Sequence, residues 1–305
     1  MTHTFLKDIG GRTEQQDSVG IFKIDHKIFM VLADGMGGHE GGKLASNTLL
    51  NIAEDKFLLH HKQIKTPYSL FTSIVEETKD ELKKLSKGTA LDPNTTAVFV
   101  LIDKYKLYYA YLGDSRFYLF EKNKQLIFRT RDDSLPEMLF KNNEITEDEI
   151  STHPQQNVLT KSIGINSTDS LSFGTITLSP YKEYRILLGS DGLWALLNEV
   201  EMYQELFSLH PLALSSKKLL SMAKYRGGSN GDNISIATVI VKKKKISNYI
   251  PLIVFIIAMV SILYFFSSPS KLPLDINSTN SIPLNEDIIE QNITHEKQFW
   301  NSSTG

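Results

Sequence analysis

Cysteine is absent from the 305 residues. That excludes a disulfide-stapled scaffold, a thiolate zinc site, an iron–sulfur cluster and a cysteine nucleophile. Charge of one sign is lacking too: 33 Lys and Arg stand against 35 Asp and Glu, a formal net charge of -2. Such a balance gives no general pull toward polyanions, so no nucleic-acid partner is expected. Eighteen Gly and ten Pro are too few for a collagen-like or low-complexity chain. The opening MTHTFLKDIGG has no apolar stretch behind a basic start, and no secretory signal peptide is expected. What is left is a chain of ordinary composition, 41% hydrophobic, long enough for one large or two ordinary domains.

One long apolar run departs from that average. Residues 249–266, YIPLIVFIIAMVSILYFF, carry no charge. As a helix they would extend roughly 27 Å, close to the hydrocarbon thickness of a bilayer, about 30 Å. Lys242, Lys243, Lys244 and Lys245 precede the run, whereas Ser267, Ser268 and Pro269 follow it. The positive-inside rule then places the preceding residues in the cytoplasm and the tail outside it. The expected division is a globular domain over 1–241, a basic juxtamembrane segment over 242–248, a single transmembrane helix over 249–266 and a flexible extracytoplasmic tail over 267–305. That tail, rich in Ser, Asn and Thr, holds two Lys against five acids.

Within 1–241, strand patterns fall at 18–24, 27–33, 95–102, 106–112, 116–120, 125–130, 171–177, 184–188 and 233–241. Several are separated only by short polar turns, such as Asp25-His26 and Asp103-Lys104. Connections that short make antiparallel hairpins. Helical spacing fits 42–61, 68–85, 199–209 and 214–225. The prediction is an α+β domain of mostly antiparallel sheet with helices packed outside.

The placement of the aspartates is more specific. Asp34 closes the run FMVLAD, Asp114 closes YAYLGD and Asp191 closes ILLGSD, while Asp17 and Asp232 stand just ahead of strands. A lone Asp-Gly at a strand end is usually a turn. Five such acids converging on one place would raise one another's pKa values unless cations lay between them. Hard divalent ions take carboxylates, backbone carbonyls and water, and need no cysteine.

In order along the chain stand GGRTEQQDS, ADGMGGHEGGKLAS, NTTAV, GDSR, SDGLW and GDNIS. That ordered set, over about 230 residues, resembles the bacterial PP2C-type, metal-dependent protein serine/threonine phosphatases. The resemblance implies a four-layer α-β-β-α sandwich, with two antiparallel sheets flanked by helices and a two-metal site at one end. Position by position, Asp17, Asp34, Asp191 and Asp232 match the metal-binding aspartates, with Asp34 bridging the ions. Gly35 matches a glycine whose carbonyl is a ligand, Asp114 an acid of a third, weaker metal position, and Arg12 the phosphate-binding arginine. Mn²⁺ or Mg²⁺ is the implied cofactor, as two or three ions, and Asp34 and Asp191 carry the catalytic centre. The implied reaction is in-line attack of water, activated between two ions, on phosphoserine or phosphothreonine of proteins. The implied substrates are shared with a cytoplasmic Ser/Thr kinase.

Some positions depart from the family's pattern. Met36 stands where animal relatives have a histidine proposed as general acid; a metal-bound water is the first expectation for that role, and His39 a weaker second. Gln15 replaces a usual Asn, Asp133 a usual His and Lys161 a usual Arg. GGHEGGK at 37–43 meets the first part of a P-loop pattern, but Leu44 stands where Ser or Thr would be needed. A membrane-anchored pseudophosphatase is the rival reading, and retention of every metal-site acid argues against it.

Overall fold

The computed structural model describes residues 1–60, 66–242 and 249–267. The chain divides into two compact units, Met1–Lys245 and Ile246–Gly305.

The first unit begins with β1 (Thr2–Asp8), β2 (Ser18–Ile24), β3 (Lys27–Ala33), β4 (Gly35–Met36), α1 (Gly38–His60) and α2 (Pro67–Leu85). There follow β5 (Asn94–Thr95), β6 (Ala97–Asp103), β7 (Lys106–Leu112), β8 (Arg116–Glu121), β9 (Gln125–Arg129) and α3 (Leu135–Lys141). The remainder is β10 (Ile163–Gly164), β11 (Ser172–Thr177), β12 (Tyr184–Gly189), α4 (Asp191–Trp194), α5 (Glu199–Leu206), α6 (Leu212–Gly227) and β13 (Ile234–Val241). One five-stranded sheet runs β1-β13-β12-β8-β9 and the other β11-β7-β6-β3-β2. All pairings are antiparallel, as the short turns predict.

Alternation along the strands builds four layers. In β3, Ile28, Met30 and Leu32 face the other sheet, where they meet Phe117 and Leu119 of β8 and Ile186 and Leu188 of β12. The intervening Phe29, Val31 and Ala33 pack on Leu49, Ala53 and Phe57 of α1 and on Phe71 and Ile74 of α2. The second sheet's outer face, including Phe120, Leu187 and Ile236, is covered by Leu193 of α4, Met202 of α5 and Leu219 of α6. Strands buried on both faces read as continuous apolar runs, which is why 27–33 was legible as a strand. The predicted 18–24, 27–33 and 106–112 coincide with β2, β3 and β7.

β1 is the longest strand the pattern missed; the two-residue β4 and β10 were missed as well. It lies at a sheet edge beside β13, and Phe5, one of its few apolar residues, points outward and is exposed. Helix α1 begins four residues before the predicted start at Gly42, because Gly38 and Gly41 were read as part of the preceding loop. Its close seat explains Gly42: a Cβ there would lie 2.7 Å from the Gly35 backbone.

In the second unit, α7 (Tyr249–Ser267) occupies the predicted apolar run. Its described side chains begin at Phe255, and the large apolar ones from there to Phe266 are exposed. Among the described residues no helix is long and apolar enough to cross a membrane. The expected transmembrane span is thus found as a helix and is not shown as a crossing. The expected tail, from 268 onward, and all of the basic segment except Lys242 lie outside the described residues.

Candidate active site

Each of the five predicted acids sits where a strand meets a turn at the same end of the two sheets. Asp17 precedes β2, Asp34 links β3 to β4, and Asp114 follows β7. Asp191 opens α4 immediately after β12 and Ser190, and Asp232 stands two residues before β13. The Asp34 backbone is fixed from the neighbouring strand: its N–H donates to Thr96 Oγ1 at 3.0 Å, and its carbonyl accepts from Thr96 N–H at 2.8 Å and Thr95 Oγ1 at 2.9 Å. Gly35 is buried and pairs with Thr95. A Cβ there would lie 2.1 Å from Gly42 O, so no larger residue fits without moving α1.

The acids feel one another. Burial pushes Asp17 up to about 6, with the charge of Asp232 adding to it. Asp191 is pushed up to about 7 by burial and then by Asp232 and Asp17. Asp34 is raised well above the ordinary range by burial and by all four of the others, and Asp114 by burial, Asp191 and Asp132. Asp17 is only 2% exposed. Both of its carboxylate oxygens, and Oδ1 of Asp191, are buried without a hydrogen-bond partner.

Buried carboxylate oxygens with no donor are costly, and a hard cation is the partner that would satisfy them. The residues therefore fit a divalent ion, although among the described residues no group of three or more Asp, Glu, His or Cys forms a ready coordination cage. Arg12 supplies the positive charge that is present: its Nη2 donates to Asp232 Oδ2 at 2.6 Å, and its side chain remains 55% exposed.

Sequence reasoning missed several residues that hold this arrangement. Asn233 accepts from Gln16 N–H at 2.7 Å and donates to the carbonyls of Ile9 and Glu14 at 2.9 and 3.0 Å. It thereby fixes the loop that carries Arg12. Trp194 Nε1 donates to Asp114 O at 3.0 Å, and the Arg116 guanidinium lies 3.5 Å from the Trp194 ring centroid. The GDNIS and SDGLW motifs contain Asn233 and Trp194, so the signal was present, but only the fold shows their partners. Two departures from the family pattern also meet: Lys161 Nζ donates to Asp133 Oδ1 at 2.9 Å. Asp133 further accepts from Gly113 N–H at 3.3 Å, beside Asp114. Met36 is half-buried, and the His39 side chain lies outside the described residues.

Comparison with known proteins supplies the family. The protein phosphatase 2C family model matches residues 13–135. Protein phosphatase PhpP of Streptococcus pneumoniae is 33% identical over 248 residues, which cover 78% of this chain and 97% of PhpP. The chain belongs to the protein phosphatase 2C family. This PP2C chain is accordingly an enzyme, a protein phosphatase. The solved serine/threonine phosphatase of S. agalactiae superposes with a TM-score of 0.67 at 28% identity, covering 79% of this chain and 99% of that one. The catalytic domain of the phosphatase PstP, solved with two manganese ions, shares the fold at a TM-score of 0.64 and 22% identity, covering 79% and 98%.

The raised carboxylates set a pH dependence for the metal-free PP2C chain. A group whose pKa is higher folded than unfolded stabilises the fold below its unfolded value and loses that contribution as pH rises through the folded value. For Asp17 and Asp191 this window runs from about 4 to about 7. Carboxylates held low, such as Asp8 and Glu201, act at lower pH. In EDTA the melting temperature is expected to fall between pH 5 and pH 8. A melting temperature that climbs over this range would contradict the assignment.

Proposed function

We propose that this chain is a metal-dependent protein serine/threonine phosphatase that hydrolyses phosphoserine and phosphothreonine on proteins. The observation that carries the reading is the set of buried, unpartnered oxygens of Asp17 and Asp191 amid five mutually repelling aspartates. Asp17, Asp34, Asp191, Asp232 and the Gly35 carbonyl would hold two ions, Mn²⁺ or Mg²⁺, with Asp34 shared and Asp114 serving a third, weaker position. When bound, such ions supply positive charge to the phosphoryl oxygens and make water nucleophilic near neutral pH.

The chain's own residues do the rest. Asp232 holds one edge of the Arg12 guanidinium, which leaves the exposed edge to grip two phosphate oxygens in a fixed plane. Asn233 keeps the Arg12 loop against the site. Thr95 and Thr96 prevent Asp34 from following its neighbours' repulsion outward.

A charge-assisted hydrogen bond is worth about 1.5–3 kcal/mol, so Arg12→Ala is expected to raise KM for a phosphothreonine peptide by roughly 10- to 150-fold. Arg12→Lys should recover only part of that. Loss of turnover with KM unchanged would remove the binding role. The function itself is tested by phosphate release from phosphothreonine and phosphotyrosine peptides, with Mn²⁺ and with EDTA. Release from the phosphothreonine peptide that stops in EDTA is expected; release indifferent to EDTA would overturn the metal-dependent mechanism.

The same proposal includes a tether. The uncharged run 249–266, the four lysines before it and the helix α7 support single-pass anchoring with the phosphatase domain in the cytoplasm and the tail outside. Recovery of the full chain in the membrane fraction after a carbonate wash is the expected result. Complete release by that wash would remove the tether.

A further inference from the structure

The aspartates gather at one end of the sandwich, and the opposite end has a different charge. There Thr2 pairs with Ile240 and Tyr184 with both Val241 and Glu121 in one sheet. In the other sheet Lys106 pairs with Thr177 and Asp103, and Lys27 with Asp103 and Ile24. Leu178 N–H donates to Tyr105 O at 2.7 Å. A cavity of about 380 Å³, lined by Met1, Thr2, Lys104, Tyr105, Val241 and Lys242, brings the two sheet ends together.

Most acids at this end are already paired. Asp103 binds His26 at 2.9 Å and Lys27 at 3.8 Å, Glu121 binds Lys182 at 3.0 Å, and Glu183 binds Arg185 at 2.7 Å. Asp25 is the exception. Lys104, Lys106, Lys122, Lys124 and Lys242 are exposed, and none has an ion pair among the described residues. Tyr181, in the turn before β12, is 65% exposed. Surplus lysines with an exposed tyrosine are the side chains that suit a lipid headgroup region. Lys242 is also where the described domain ends, with six residues of sequence between it and the start of α7.

We propose that this end of the domain docks on anionic lipid headgroups of the bilayer to which the chain is tethered. The inference rests on the tethered reading for its biological setting. Seven-residue strands such as β3 and β7 separate the two ends by about 23 Å, well beyond a screening length of about 8 Å. Docked in this way, the site opens away from the membrane, and lipid charge does not repel an incoming phosphoprotein.

The test uses the full chain in vesicles of phosphatidylcholine alone and of phosphatidylcholine with phosphatidylglycerol. Amine-reactive labelling is read lysine by lysine by mass spectrometry. Lys104, Lys106, Lys122 and Lys124 are expected to label on the order of ten-fold more slowly on the anionic vesicles, with protection lost at high salt. Lys83 on α2 and Lys217 on α6 should not change. Lys122→Glu with Lys124→Glu should reduce the protection of Lys104 and Lys106. Equal labelling on both vesicle types overturns the docking face. A chain that fails to sediment with neutral vesicles loses the tether, and its protection on anionic vesicles then decides docking separately.

Discussion

Asp34→Asn and Asp191→Asn are each expected to lower phosphate release from a phosphothreonine peptide by about a thousandfold or more, roughly 4 kcal/mol of transition-state stabilisation, while the chain stays folded. The substitution keeps the shape of the side chain and removes one charge. In the metal-free state that charge is a liability, because burial and the neighbouring acids push Asp34 well above its ordinary range and Asp191 up to about 7. Melting in EDTA at pH 8 should therefore be unchanged or higher in both variants, whereas the stabilisation of the wild type by Mn²⁺ should be lost. Ligand linkage makes that stabilisation about 2.7 kcal/mol at a hundred times Kd. This split between activity and stability separates a cation-holding acid from a structural one. A variant with near-normal turnover would show that its aspartate does not serve the reaction.

Arg116→Ala is expected to cost about 3–5 kcal/mol of stability, a large share of the roughly 5–15 kcal/mol available to a domain. The Arg116 guanidinium binds Asp132 through one edge, Nε to Oδ1 at 2.8 Å and Nη2 to Oδ2 at 2.6 Å, and its Nη1 donates to Tyr118 Oη at 3.3 Å. Side-chain exposure is 6% for Arg116 and 1% for Asp132. Removing the arginine strands a buried carboxylate and empties the space against the Trp194 ring. Replacing both partners, as Arg116→Met with Asp132→Leu, should recover most of the loss, because the main penalty is the unpaired charge. Chemical denaturation of the single and double variants checks this. A single variant within about 1 kcal/mol of wild type would contradict it. Since Trp194 donates to the Asp114 carbonyl, surviving single-variant protein is also expected to bind metal less well.

The layers and the acid end were legible in the sequence for one reason. Strands buried on both faces must be apolar throughout, so the first charged residue after each marks its end. Asp34 after Ala33 is read in that way. What escaped was whatever depends on a partner distant in sequence. β1 carries half-buried polar residues and an outward Phe5, so its period gives little signal. The Thr95 and Thr96 bonds to Asp34, the Asn233 bonds to the Arg12 loop and the Lys161–Asp133 pair join segments tens of residues apart, which no local pattern encodes. Arg12 illustrates both sides: the resemblance to the family marked it as a site residue, but its bond to Asp232 became visible only once the ends of β1 and β13 lay together.

The central claim is that the unpartnered oxygens of Asp17 and Asp191 exist to hold cations. Calorimetric titration of Mn²⁺ into the full chain, with the Asp17→Asn variant in parallel, tests it most directly. At pH 8 the wild type should bind at least two ions, with affinity falling as the pH is lowered through 7 toward 6, where Asp191 and Asp17 take up protons. The variant should lose at least one of the ions. A wild type that binds no Mn²⁺, or a variant that binds as the wild type does, would contradict the account.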